Sequence, residues 1–347
     1  MADLTAAELA AVAGVMATAG VPTTGELHAK LLTAGRSNLT YKLWDDADAA
    51  WVMRTPPRVG RTPSAHDVAR EYRVTKGLAT AGVPVPQAVL AHDDEELIGV
   101  PFAIAGFVEG ATVQSRAQFE ALGPELRAAS LEALFGALAA LHRVDHVAAG
   151  LERFGRPDGY AARQTKRWAG QWEIVGEAFP DAVRADAQRL AAGLADRLPT
   201  LEQRSTGVVH GDYRIDNTLL RLDAEAGTAE VAAIVDWELS TIGDPVADVA
   251  MMCVYRHPVF DLTLGGSSAW ASDLMPDVDA LAAGYERHGG VPLDSWEFHL
   301  ALGYFKIAVI AAGIDHRHRA GASHGEGFDT AGESVGPFLA EGLALLG

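Results

Sequence analysis

The pattern of hydrophobic positions changes near residue 110. Before it, short runs typical of β-strands alternate with turns rich in Gly, Pro and acidic residues, at 39–44, 50–54, 87–91 and 102–107. After it, apolar residues recur every three or four positions, as on the buried face of a helix, for example at Leu131, Leu134, Phe135, Leu138 and Leu141. The pattern predicts a small β-rich part followed by a larger helical part.

Four other local patterns predict three helices and a β-hairpin. Residues 5–17 and 66–79 have the composition and spacing of helices, and 246–255 predicts a helix that opens after Pro245. The apolar runs 218–222 and 231–235 flank a polar, Gly-containing turn, which predicts a β-hairpin. Such a hairpin would return the residue after the second strand to the start of the first.

Composition narrows the class of protein. A chain of 347 residues with 49% hydrophobic content can bury a sizeable core, and its length favours two lobes. The formal charge of -18 argues against nucleic acid or an anionic membrane as main partners. The single cysteine, Cys253, lies in an apolar run and predicts a buried, inert thiol. With neither a signal peptide nor 18 uninterrupted apolar residues, we expect a cytoplasmic protein.

A chemical motif ends one of the strand-like runs. His210, Asp212 and Asn217 have the spacing of the kinase catalytic loop H-R-D-L-x-x-x-N, in which the Asp accepts the substrate hydroxyl proton and the Asn holds Mg²⁺. Asp236 follows the second hairpin strand, where a further metal-binding carboxylate belongs. Each residue alone could be a turn or capping residue. The ordered set favours phosphoryl-transfer chemistry.

These motifs carry a family resemblance. His210-Gly211-Asp212 through Asn217, followed by 236–245 and Asp248, resembles the aminoglycoside phosphotransferase family, especially the kinase-like domains also found fused to acyl-CoA dehydrogenases. The likeness runs from about residue 30 to about residue 310. It implies an α+β, bilobal protein-kinase-like fold, with an N-lobe at 1–107 and a C-lobe at 108–347. It also implies transfer of the γ-phosphate of ATP or GTP to a small-molecule hydroxyl, with Mg²⁺.

The resemblance assigns nucleotide-binding residues in the N-lobe, namely Gly35, Arg36, Ser37 and Asn38 over the phosphates, Arg54 and Glu71 as an ion pair, and Phe107 and Val108 beside adenine. The loop has one glycine, so an ordinary hairpin turn is the alternative. Arg54 stands where kinases carry a lysine, which changes reach and hydration. Lys42 is a possible substitute for that lysine, and Glu71 could instead be a solvated surface residue.

In the C-lobe, the resemblance gives Asp212 and Arg214 catalytic roles and makes Asn217 and Asp236 metal ligands. Arg214 would meet the transferred phosphate, although pairing with Asp216 is the alternative. His210 is expected to orient the loop. Two acids after the second motif, Asp244 and Asp248, are expected to brace the catalytic loop or to serve the following helix.

The acceptor site is less defined by the sequence. Trp168 and Trp172 share one helical face and favour core packing over a ligand platform, whereas Lys166 and Arg167 could attract an anionic acceptor. Near the C-terminus, Asp315, His316, His318 and His324 match no zinc spacing and predict a polar, mobile tail.

The sequence therefore predicts a Mg²⁺-dependent small-molecule O-phosphotransferase whose partners are a nucleotide and a hydroxyl acceptor. A hydroxyacyl-CoA is the favoured acceptor, and an aminoglycoside, a sugar or a choline-like alcohol stays open. The rival class is a non-catalytic nucleotide-binding regulatory module, suggested by the thin glycine loop and the absent lysine. A hydrolase lacks support because no G-x-S-x-G motif is present.

Overall fold

A five-stranded antiparallel sheet forms the first part of the fold. The computed structural model describes residues 4–34, 38–58, 67–321 and 329–347. The strands are β1 (Leu27–Ala34), β2 (Leu39–Asp45), β3 (Ala50–Thr55), β4 (Ala88–His92) and β5 (Phe102–Gly106), in the spatial order β1-β2-β3-β5-β4. Burial alternates along β2 and β3, as expected for strands with one covered face. The four strand-like runs of the sequence correspond to β2 to β5.

Two helices pack on this sheet. Helix α1 (Ala6–Thr18) begins with a capping box between Thr5 and Glu8 and buries Val12 and Met16 against the sheet core. Helix α2 (Val68–Thr80) packs against β4 and β5. It therefore holds its buried face, which includes Glu71, beside the strands.

The larger part of the fold is helical. Its helices are α3 (Arg116–Ala121), α4 (Gly123–His142), α5 (Tyr160–Val175), α6 (Asp181–Arg197), α7 (Val246–Val254), α8 (Phe260–Leu264), α9 (Val278–Arg287), α10 (Trp296–Arg319) and α11 (Val335–Ala344). The periodic leucines and Phe135 of α4 are buried in one continuous core, which confirms that part of the prediction. Cys253 on α7 is completely buried, also as predicted.

Short strands between α6 and α7 place the motif residues. Strand β6 (Gly207–Val209) pairs with β9 (Thr241–Gly243), and β7 (Thr218–Asp223) pairs with β8 (Thr228–Ile234). The predicted hairpin is thus confirmed. Ala111 and Leu220 exchange backbone hydrogen bonds of 2.8 and 2.9 Å, so the chain leaving the five-stranded sheet is tied to this hairpin.

Helix α10 corrects the expectation of a mobile tail near the C-terminus. It is long and apolar enough, by length and composition, to cross a membrane, but 83% of its most apolar window is buried among the other elements of the fold. It also extends through Arg319, where the sequence predicted a mobile tail. Asp315 is buried and pairs with Arg319 at 2.7 Å because the two side chains lie one helical turn apart. His324 lies outside the described residues.

Candidate active site

The loop after β6 has a constrained backbone. Gly211 has φ 88°, a left-handed conformation that side chains with a Cβ rarely adopt. A Cβ at Gly211 would also lie 2.7 Å from the carbonyl oxygen of Leu239. After Gly211, a 3₁₀ turn at Ile215–Asn217 leads into β7. The chain therefore turns sharply between β6 and β7, and His210, Asp212 and Asn217 lie in this turn.

Asp248 of α7 holds this loop from the core side. It is fully buried and accepts hydrogen bonds from the backbone N–H groups of His210 (2.6 Å) and Gly211 (2.7 Å). His142 Nε2 lies 3.2 Å from the same carboxylate. Burial alone would raise the pKa of Asp248, but the bonds from His142 and Gly211 hold it below the ordinary value. The predicted bracing role of Asp248 is confirmed by these contacts.

Asp244 does not share that role. Its carboxylate accepts the N–H of Val246 at 3.1 Å and lies 3.3 Å from His299 Nε2. It therefore stabilises the start of α7, the capping alternative that the sequence left open.

His210 orients the loop from within, as predicted. Its Nε2 lies 3.0 Å from the carbonyl oxygen of Val235, and its Nδ1 accepts the N–H of Asp212 at 3.2 Å. Both contacts are satisfied together only by the neutral tautomer with hydrogen on Nε2. The ring packs against buried Trp237 in a tilted arrangement, with centroids 4.6 Å apart and an interplanar angle of 55°.

Asp212 lies at the centre of a converging set of donors. The Tyr255 hydroxyl donates to Oδ1 at 2.7 Å, and Asn217 Nδ2 donates to Oδ2 at 3.0 Å. Arg214 Nη2 donates to Oδ2 at 3.2 Å. Burial would raise the pKa of Asp212, but Arg214, Tyr255 and the more distant Lys306 hold it below its ordinary value. Asp212 is therefore an ionised carboxylate, with 21% of its side chain exposed.

Arg214 is buried, which neither interpretation of the sequence anticipated. Its guanidinium pairs with Asp212 and, at 3.2 Å, with Asp216, and it lies over the rings of Tyr255 and Phe260. The carboxylates raise its pKa further against the effect of burial. Among the described residues, Arg214 Nη1 and Asp216 Oδ1 are buried without a hydrogen-bond partner.

The hairpin brings the two candidate metal ligands together. The N–H of Val235 donates to the carbonyl oxygen of Asn217 at 2.9 Å, so Asp236 follows directly beside that residue. Asp236 has φ 66°, a backbone conformation that costs a non-glycine residue about 1–3 kcal/mol. Asn217 uses Nδ2 to bind Asp212, which leaves its amide oxygen as an acceptor.

Arg54 joins the sheet to this site. Its Nη1 lies 2.7 Å from Glu71 Oε2, and both terminal nitrogens lie 3.1 Å from Asp236 Oδ1. Glu71 also accepts a 3.0 Å hydrogen bond from Asn38. Burial raises the pKa of Glu71 to about 7, although Arg54 and Asn38 act in the opposite direction. The predicted ion pair is present, whereas Lys42 lies over Phe107, 4.3 Å from the ring centroid.

The remaining candidates fall into two groups. Phe107 follows β5 and donates its N–H to Ala50 at 3.1 Å, and with Val108 it lies where the chain crosses toward the helical part. Gly35, Arg36 and Ser37 lie outside the described residues.

Sequence reasoning missed Tyr255 and Lys306. Tyr255 was identified only as the end of a predicted helix, yet its hydroxyl binds Asp212. Lys306 donates to the carbonyl oxygen of Gly211 at 2.8 Å. A lone lysine within the long apolar stretch of α10 is the signal that could have identified it.

The donor set fits Mg²⁺. Magnesium prefers oxygen ligands and is often bound through one or two carboxylates together with substrate phosphates. The Asn217 amide oxygen, Asp236 and the unpartnered Asp216 Oδ1 supply oxygens of this kind. Within 4–34, 38–58, 67–321 and 329–347, no group of three or more His, Cys, Asp or Glu side chains could hold a metal alone. The Asn217, Asp236 and Asp216 oxygens are therefore of the type that Mg²⁺ prefers.

The sequence is similar to part of two acyl-CoA dehydrogenase family members. Acyl-CoA dehydrogenase family member 10 of Mus musculus is 34% identical over 306 residues, covering 87% of this chain and 28% of that protein. Acyl-CoA dehydrogenase family member 11 of Gallus gallus is 34% identical over 327 residues, covering 92% of this chain and 40% of that protein. The chain thus spans well under half the length of these relatives.

Solved structures share the whole architecture. A provisionally named aminoglycoside phosphotransferase from Ralstonia eutropha has a TM-score of 0.77 and 29% identity over 97% of both chains. A thermostable mutant of aminoglycoside phosphotransferase APH(4)-Ia, solved with AMP-PNP and hygromycin B, has a TM-score of 0.60 and 16% identity, over 92% of this chain and 94% of that one. The predicted kinase-like α+β fold, with a β-rich N-lobe and a larger helical C-lobe, is confirmed. The profile of the phosphotransferase enzyme family matches residues 28–294, and the chain belongs to that family.

Proposed function

We propose that this protein transfers the γ-phosphate of ATP or GTP to a hydroxyl group of a small molecule, in a Mg²⁺-dependent reaction. The observation that carries the proposal is the connected set of Asp212, Asn217, Asp236 and Arg54. Asn217 binds Asp212 at 3.0 Å, and Arg54 binds Asp236 at 3.1 Å. A carboxylate, candidate metal ligands and a cation thus meet at one place, as phosphoryl transfer requires.

Asp212 would receive the acceptor hydroxyl. Tyr255, Asn217 and Arg214 fix both carboxylate oxygens, so the side chain has little freedom to turn away. Because the neighbouring donors lower its pKa, Asp212 is a weak base before the reaction. Its main contribution is therefore to orient the hydroxyl, with proton transfer late in a loose transition state.

The residues proposed to hold the metal and the phosphates lie on both parts of the fold. Asn217 and Asp236 would hold Mg²⁺, which neutralises charge on the phosphates when it is bound. Arg54 would carry positive charge to the phosphates, fixed by Glu71 at 2.7 Å. Arg214 would meet the transferred phosphate, and its buried Nη1, which has no hydrogen-bond partner within the described part of the chain, is the group that we assign to this contact.

The remaining assignments are also part of this proposal. Asn38, together with Gly35, Arg36 and Ser37 outside the described residues, would cover the phosphates. Phe107 and Val108 would meet the base of the nucleotide, at a lobe boundary that we place between these two residues. The acidic chain as a whole supports neither a nucleic-acid nor a membrane partner, and we expect it to act in the cytoplasm.

A hydroxyacyl-CoA is the acceptor class that we propose to test first. Two relatives are named as acyl-CoA dehydrogenase family members. Lys166 and Arg167 are exposed on α5 and could meet an anionic acceptor. Trp172 is 5% exposed and packs on Phe179, so it belongs to the core, as predicted, and does not offer a ligand platform.

The test is phosphate transfer from γ-labelled ATP or GTP to a panel of hydroxyacyl-CoAs, aminoglycosides, sugars and choline-like alcohols, with and without Mg²⁺. A labelled product that requires both Mg²⁺ and one acceptor class is expected. Replacing Lys166 and Arg167 together should raise KM for an anionic acceptor. Tight Mg²⁺-nucleotide binding with no labelled product from any acceptor would instead favour the non-catalytic nucleotide-binding module.

A further inference from the structure

Lys306 is an isolated cation in an apolar helix. From Phe298 to Ile314, α10 contains no other Lys, Arg, Asp or Glu residue, and the neighbours Phe305 and Ile307 are buried. Burial lowers the pKa of Lys306, and Asp212 and Asp248 oppose that effect. An ammonium group in such surroundings costs stability unless it has compensating partners. Its contact is therefore informative about its role.

That contact lies next to the catalytic carboxylate. Lys306 Nζ donates to the carbonyl oxygen of Gly211 at 2.8 Å. The same peptide unit carries the N–H of Asp212, which donates to His210 Nδ1 at 3.2 Å. Because a peptide unit is planar, holding its oxygen and its nitrogen fixes the plane from which the Asp212 side chain departs.

The preceding peptide unit is held separately. Its N–H, that of Gly211, donates to Asp248 Oδ1 at 2.7 Å. The Cα of Gly211, whose φ is 88°, joins these two peptide units. Since glycine tolerates many backbone conformations, the Gly211–Asp212 peptide could rotate if its carbonyl oxygen lost Lys306.

A direct contact between Lys306 and the acceptor is less consistent with the space available. The cavity lined by Lys306, Trp168 and His299 has a volume of about 20 Å³. This is enough for about one water molecule and too small for a substrate. The Trp168 ring, whose centroid lies 6.0 Å from the Lys306 ammonium, is part of the lining of this cavity.

We propose that Lys306 is a positioning residue for the phosphotransfer reaction: it fixes the Gly211–Asp212 peptide and so aims the Asp212 carboxylate at the acceptor hydroxyl. This inference rests on the proposed function for its catalytic consequence. Its structural consequence, an ordered Asp212 backbone, can be measured without turnover.

The test compares Lys306→Met and Lys306→Arg with Lys76→Met, a control at an exposed lysine of α2. Misplacing a catalytic group by about 1 Å can cost about 100-fold in rate. Lys306→Met should therefore lower kcat by about 10- to 100-fold, with nucleotide KM changed by less than about twofold. Lys306→Arg should recover part of kcat, and the control should match wild type.

Amide hydrogen exchange supplies the measurement that does not need turnover. Lys306→Met should speed exchange at Asp212 about tenfold or more, with α4 and α7 unchanged. Should Lys306→Met fail to fold, Lys306→Gln replaces it. The Gln side chain is neutral and one atom shorter than that of Lys, so we expect it not to hold the Gly211 carbonyl oxygen, and this variant must show the same increase in exchange at Asp212.

Two results would overturn the proposal: unchanged exchange at Asp212 in a folded variant, or a raised acceptor KM with kcat intact, which would make Lys306 an acceptor-binding residue. If wild type turned over no acceptor while exchange at Asp212 still rose in Lys306→Met, the proposed function would fail together with the catalytic consequence of this inference, and the ordering of the Gly211–Asp212 peptide by Lys306 would stand.

Discussion

Replacing Asp248 should separate the anchoring of the catalytic loop from its chemistry. The Asp248 carboxylate is buried, and its two oxygens accept backbone N–H groups of His210 and Gly211 at 2.6 and 2.7 Å. In Asp248→Asn, one oxygen becomes an NH₂ group, which cannot accept a hydrogen bond. One buried donor is then unpaired, and the other loses a charged acceptor.

The expected cost follows from these two losses. A buried donor without a partner costs about 1–3 kcal/mol, and a hydrogen bond to a charged group contributes about 1.5–3 kcal/mol. Because part of the second contribution survives with a neutral amide oxygen, we expect Asp248→Asn to lose about 2–4 kcal/mol of unfolding free energy. Asp248→Ala should lose about 3–5 kcal/mol, since it also leaves His142 without its buried partner.

Urea unfolding of wild type and both variants measures this cost. The matched control is Glu230→Gln, because Glu230 is 70% exposed and pairs with Arg221 at 3.3 Å on the surface. It should lose less than about 1 kcal/mol. A loss in Asp248→Asn no larger than in the control would refute the anchoring argument. Folded domains are typically stable by about 5–15 kcal/mol, so we expect Asp248→Asn to remain folded. Its turnover should nevertheless fall, because the catalytic loop has lost part of its anchor.

Three further predictions concern the pH dependence, the nucleotide site and the backbone. Burial raises the pKa of Glu71 from 4.5 to about 7, so between these values the folded protein keeps a proton that the unfolded chain releases. Stability should fall by roughly 3 kcal/mol as pH rises through this window, and Glu71→Gln should flatten that slope in urea melts; an unchanged slope would contradict the assignment. Arg54→Met removes the cation beside Asp236 and should lower kcat/KM for ATP about 100-fold, with a change under about threefold counting against its role. Gly211→Ala should destabilise the protein by more than Gly227→Ala, measured by thermal unfolding: both have positive φ, but only the first meets a backbone oxygen 2.7 Å away, and equal losses would contradict this.

The sequence was most informative where local pattern and chemistry coincide. Asp212 and Asp236 each come after an apolar run and Asn217 directly precedes one, and the hairpin between Asn217 and Asp236 is predicted by its apolar runs and a glycine turn. Strand pairing then necessarily brings their chain positions together. The Arg54–Glu71 pair could also be predicted, because it follows from the order of the elements that the family resemblance implies.

Other features depend on tertiary packing that leaves little trace in local sequence. Arg214 occupies a loop position typical of a surface residue, but Tyr255 and Phe260 enclose its guanidinium. Lys306 reaches Gly211 across 95 residues of chain. Asp315 belongs to a helix because α10 packs along the core beyond the end of its apolar stretch. Neither periodicity nor composition specifies such contacts.

The most direct test of the proposed phosphotransferase activity compares wild type with Asp212→Asn, with Asp223→Asn at the end of β7 as a matched control. Acceptor-dependent release of ADP or GDP and the Kd of Mg²⁺-AMP-PNP should be measured on the same preparations. We predict that Asp212→Asn lowers kcat by about 100-fold or more, with nucleotide affinity within about threefold of wild type, because the carboxylate acts on the acceptor. If Asp212→Asn turned over the acceptor as fast as wild type does, the proposed mechanism would be contradicted.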